Sequence, residues 1–128
     1  MTRWQWHIVL LGAGGTFTLL GLWAALLPTD FLSVVANYGP PNTHLARDFA
    51  ACALTFGFAL LVADRRPGWR TPALTVTAVW NGAHTVSHLV DIGQATPYFV
   101  GPLEAVLLLA TTVVFAALAR VSASRGHR

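Results

Sequence analysis

The sequence contains no lysine, a single cysteine, and charged side chains at only 10% of its 128 positions. So few charges cannot clothe a water-facing surface, of which about a quarter to a third is normally charged, and an ordinary soluble domain is excluded. Cys52 stands alone, so no intrachain disulfide can form. The net charge of +3 rests on eight arginines with no run longer than Arg65-Arg66, which argues against a nucleic-acid-binding surface. Apolar residues fill the space instead, at 55% of the chain. Four membrane spans of about 20 residues each fit this length and leave no room for a second, water-soluble domain. The expectation is an all-α, four-transmembrane-helix up-down bundle, with residues 1–128 forming one integral-membrane domain.

Two runs are clear. Ile8 to Leu27 and Thr71 to Val90 each hold 20 residues without a formal charge, about 30 Å as a helix and enough to cross the hydrocarbon core. The first run is too long for the apolar part of a cleaved leader. Thr71 and Pro72 suit an N-cap and first helical position. The other two runs, Phe49 to Ala63 and Ala105 to Ala119, have 15 such residues and reach only about 22 Å. To cross, they must draw in Arg47 and Asp48 at one start and Glu104 at the other. The spans are then expected at about 8–27, 44–63, 71–90 and 102–121. Gly101 is read as the N-cap of the last, which puts Glu104 at the third helical position.

Arginine sets the orientation. Seven of the eight, all but Arg47, fall on one side of such a bundle, which places both termini in the cytoplasm and the chain in the cytoplasmic (inner) membrane. Trp4, Trp6 and Trp69 fit the inner aromatic belt, and Tyr38, Tyr98 and Phe99 the outer one. Gly39-Pro40-Pro41-Asn42 marks a turn in the first external loop, over the outer mouth. Gly12, Gly14, Gly15 and Gly21, with Ala53 and Gly57, are small residues that let helices approach closely.

Polar residues gather in the outer half. Thr77, Asn81, His84, His88 and Asp91 recur at steps of four, three, four and three, which puts them on one face of the third span. With His44, Arg47 and Asp48 from span two and Glu104 from span four, they would line one outward-opening pocket. Four carboxyl groups (Asp30, Asp48, Asp91, Glu104) against Arg47 give this region a formal −3, which favours a cation. Ionisable groups at such depth usually pair together and mark function. Asn81, near the midplane, needs a partner or a ligand, whereas Trp80 is expected to point elsewhere. His7 and His127 are read as solvated.

Two chemistries fit these residues. His84 and His88, with Asp48 and Glu104, form a catalytic set for acid-base work on a small lipophilic ligand, with Asn81, His44, Arg47 and Asp91 as binding residues. The same four side chains form a metal set, since imidazoles at i and i+4 can grip one ion while carboxylates complete the site, and a divalent metal or haem is the corresponding cofactor. Thr85 stands where a zinc protease has glutamate, so that chemistry is not supported. A third reading is non-catalytic: an accessory subunit of a larger membrane complex, or a homo-oligomer, in which the cluster is interhelical hydrogen-bond glue. The arrangement of HLARDF opening span two, GAHTVSHLVDIG closing span three and GPLEA opening span four resembles the layout of the DoxX-like small four-helix bacterial membrane proteins. That resemblance implies the bundle and assigns no functional residue.

Overall fold

The computed structural model describes residues 1–126; His127 and Arg128, read above as a solvated histidine and a cytoplasmic charge, lie outside them. The described chain is helical apart from its connections. α1 (Arg3–Leu26) is followed by a short α2 (Pro28–Val34), then α3 (Thr43–Arg65), a single 3-10 turn (Pro67–Trp69), α4 (Arg70–Val90) and α5 (Val100–Gly126). Three of the four long helices, α1, α3 and α5, are long and apolar enough to cross a membrane. α4 is excluded from that set by its threonines, asparagine and histidines.

Local chemistry explains most boundaries. Thr2 and Gln5 form a reciprocal capping box at the start of α1, so the helix begins five residues before the uncharged run. Pro28 opens α2, and the Asn42 side chain caps α3 by accepting from the backbone of His44 and Leu45. Two expected caps are absent. α4 starts at Arg70 with no side-chain cap, and the Thr71 hydroxyl donates instead to Ser122 of α5 at 2.9 Å. α5 starts at Val100, so Glu104 lies beyond its first turn and does not cap it. Gly101 has a different job. A Cβ there would strike the Ile92 carbonyl, so only glycine lets the loop from α4 fold back onto the start of α5.

The long helices form two antiparallel pairs, α1 with α3 and α4 with α5. α1 and α3 touch through glycine. A Cβ on Gly57 would collide with the Thr18 side chain and approach its backbone N to 2.9 Å, and one on Gly21 would come within 3.0 Å of the Leu54 backbone. Backbones this close have no space for side chains between them. Gly14 serves the same contact, but nothing lies within 4 Å of Gly12 or Gly15, which are not part of it.

The pairs meet differently. α4 packs closely on α5 and meets α3 across bulky rings. At the end of the bundle that carries the N-terminus, all four long helices share one core of Trp6, Leu10, Leu60, Leu74 and Phe115. At the opposite end the core of Ala24, Phe31, Leu32, Ala46 and Ala50 belongs to α1, α2 and α3 alone. Midway, Phe17, Phe56, Trp80 and Phe115 make a seam of edge-on and tilted rings 5.1–6.5 Å apart. Above that seam the pairs part, and the gap is a cavity.

Candidate functional site

The cavity has a volume of about 710 Å³, within the range of small-molecule sites. Its floor is Phe17, Trp80 and Phe115, and its apolar walls include Leu20, Phe31, Phe49, Leu107 and Leu108. The rings run on toward the mouth without interruption. Phe31 stacks on Phe49 at 5.2 Å, Phe49 lies 6.2 Å from His84, and Trp80 stacks on His84 at 4.8 Å and 19°. The expectation that Trp80 points away from the polar stripe is therefore corrected. Residues four apart share a helix face, and Trp80, His84 and His88 make one continuous column.

Two connections cover the mouth. The stretch from Asn37 to Asn42 and the turn after α4 meet where Tyr38 bridges to Ala95 and the Thr96 backbone N donates to the Asn37 carbonyl at 3.0 Å. This pairing carries Tyr38 down onto α4 and α5. Its hydroxyl donates to Glu104 Oε2 at 2.7 Å and lies 2.9 Å from His88 Nδ1. His88 Nδ1 is itself 3.4 Å from Glu104 Oε2, and His88 Nε2 is 3.3 Å from His84 Nε2. Burial first, then the bond to Glu104 and the negative charges of Glu104 and Asp91, hold the Tyr38 hydroxyl above its ordinary range, so it remains a donor.

The tautomers follow from that donor. Tyr38 has one proton and gives it to Glu104, so His88 Nδ1–H must donate to the Tyr38 oxygen. A neutral His88 then has a bare Nε2, which accepts from His84 Nε2–H. Every link points the same way, from His84 through His88 and Tyr38 to Glu104. His84 Nδ1 is left as an acceptor with no protein partner among the described residues. A proton taken up there can pass along by one transfer per link until Glu104 is protonated, and each intermediate residue ends neutral. Hydrogen-bonded order alone provides this path.

Of the residues expected at the site, Asn81, His84, His88, Asp91 and Glu104 line the cavity together, and His44, Arg47 and Asp48 do not. His44 and Asp48 pair with each other at 3.5 Å on an outer face of α3, with 86% and 62% of their side chains exposed. Arg47 is exposed too and forms no ion pair among the described residues. The reason is register. The packed face of α3 carries Ala46, Ala50, Ala53, Gly57 and Leu60, and a step of two residues from Ala46 turns about 200° away from it. Among the described residues no three His, Cys, Asp or Glu side chains are grouped to hold a metal ion. Asn81 finds its partner within its own helix, donating to the Thr77 carbonyl at 3.0 Å. Cys52 is half-buried and outside the cavity.

Two more aromatic residues sit elsewhere than the sequence reading has them. Tyr38, assigned to an aromatic belt, bridges His88 and Glu104, and Trp6, assigned to the inner belt, is 3% exposed within the core. His7, read as solvated, keeps 42% of its side chain exposed and also sits 3.0 Å from both carboxylate oxygens of Asp64, whose side chain is only 7% exposed. The one available signal for Tyr38 was its position beside Gly39-Pro40-Pro41, a rigid turn already assigned to the mouth. Comparison of the chain with family models, with curated proteins and with solved structures finds no match.

Proposed function

We propose that this chain is a four-span protein of the cytoplasmic membrane, with both termini inside, whose cavity opens on the outer side and binds a small lipophilic molecule. The DoxX-like layout belongs to the same proposal. Orientation is supported by arginine: among the described residues Arg3, Arg65, Arg66, Arg70 and Arg120 flank one end of the bundle, and Arg47 lies near the other. α4 completes the fourth span because its polar groups are served by its own helix, by α5 or by the cavity. Thr77, Asn81 and Thr85 bond to carbonyls one turn back, and no buried side-chain nitrogen or oxygen among the described residues lacks a partner.

The observation that carries the binding reading is the cavity, apolar on most of its wall, with the polar column Asn81, His84 and His88 running up one side to Asp91 and Glu104. That is the form of a pocket for an amphiphile, whose tail replaces water against Leu and Phe while its head meets Asn81, His84, His88 and Glu104. The His84-to-Glu104 chain gives the site acid-base capacity toward such a head. Solvent extraction and mass spectrometry of the protein purified from its membrane test this. A stoichiometric lipophilic molecule is expected, and Thr111→Trp, which fills the cavity from α5, should release it without lowering the unfolding temperature. Identical extracts from both proteins would overturn the proposal.

A further inference from the structure

The charge of the cavity is one-sided. The chain has no lysine, and among the described residues no arginine lines the cavity, whereas Asp91 and Glu104 both do. An anionic amphiphile would thus meet two carboxyl groups with no fixed cation to offset them. The carboxyl groups also have capacity to spare. Tyr38 and His88 both address Oε2 of Glu104, and Gln94 donates to Oδ1 of Asp91 at 2.8 Å, so Glu104 Oε1 and Asp91 Oδ2 have no protein partner among the described residues. Deeper in the cavity the rings of Phe31, Phe49 and Trp80 offer an apolar surface for the tail of such a molecule.

We infer that the molecule bound in this cavity is a lipophilic cation, a protonated amphiphilic amine or a quaternary ammonium, whose nitrogen lies by Glu104 and Asp91 and whose apolar part lies on Phe31, Phe49 and Trp80. This rests on the binding reading above and narrows it to one charge class. A neutral amphiphile fills the same space but leaves the spare carboxylate oxygens without a counter-charge. An acid adds repulsion. Selection of this kind needs no close fit to the tail, so the preference is for the head and tolerates different chains.

Three probes with one twelve-carbon tail separate the classes: dodecyltrimethylammonium, 1-dodecanol and dodecanoate, titrated at neutral pH into the protein in phosphatidylcholine nanodiscs, with empty discs subtracted. The ammonium should bind at least about tenfold more tightly than dodecanoate, with the alcohol between them. Glu104→Gln, which keeps an acceptor for Tyr38, should remove about tenfold from the ammonium affinity and leave the alcohol unchanged. Asp91→Asn, on the rim and less able to disturb folding, should act in the same direction with a smaller effect. Saturable binding of the alcohol with no ammonium preference, or a preference that survives both substitutions together, would overturn the cation assignment and leave the cavity reading standing. Absence of saturable binding by all three would overturn both.

Discussion

At the terminal end of the bundle His7 of α1 meets Asp64 of α3, and at the loop end His88 of α4 meets Glu104 of α5 through Tyr38. The chemistry is the same and the surroundings are not. His7 and Asp64 join the two helices that glycine holds at backbone contact, beside a filled core, with Arg70 stacked on Trp6 at 5.1 Å nearby. His88 and Glu104 stand at the edge of about 710 Å³ of space and are tied to it by His84. On the binding reading proposed above, a histidine-carboxyl pair is glue or site according to the room beside it. Residue type alone does not distinguish them.

The tight pair should be most sensitive at Gly57. Gly57→Ala forces α1 and α3 apart against the Thr18 backbone and is expected to cost about 3 kcal/mol, read as a lower midpoint of unfolding in detergent. Next comes His7→Ala, which leaves Asp64 nearly enclosed with only Arg65 Nε at 3.7 Å, and should cost about 2 kcal/mol while the extracted ligand is unchanged. If ligand retention falls in His7→Ala, the division between glue and site is wrong.

Tyr38→Phe should show the opposite balance. It removes one hydrogen-bond donor at a half-buried position, about 1 kcal/mol of stability, but interrupts the link from His88 to Glu104 and should change ligand retention more than the unfolding midpoint. The same tyrosine gives a pH signature. Its folded-state pKa is raised from the ordinary 10.0, so the folded protein holds this proton longer than the unfolded chain does. The stability it contributes is complete below pH 10 and is lost as pH rises beyond it. In a Tyr98→Phe background the phenolate absorbance of Tyr38 should emerge late, and Tyr38→Phe should flatten the alkaline loss of stability. The smallest effect is expected at Gly12→Ala. Nothing lies within 4 Å of a Cβ there, so the change should be a gain of less than about 1 kcal/mol from helix propensity, and a large loss would mean that α1 has a second close neighbour.

Much of the site was legible because one helix carries it. The spacing of Asn81, His84, His88 and Asp91 follows the helical repeat, so their shared face needs no knowledge of what they touch. Glu104 followed from the short apolar run after it. Asp48 failed for want of rotation: its depth along α3 is readable, but of the stripe Ala46, Ala50, Ala53 and Gly57 that turns it outward, small-residue spacing singles out only Ala53 and Gly57. Tyr38 failed because it lies between helices, where no periodicity fixes direction.

Composition and apolar run length determined that the chain is helical and suited to a membrane, and the arginine distribution supplied its proposed orientation, because hydrocarbon solvation acts on each segment separately. Only the tertiary structure decided which helices pair, since glycine allows backbones to touch while facing rings hold the other two surfaces apart. The cavity is the consequence of that difference in approach distance. So is the identity of its neighbours, because Tyr38 reaches His88 and Glu104 only after two distant loops have met across the mouth.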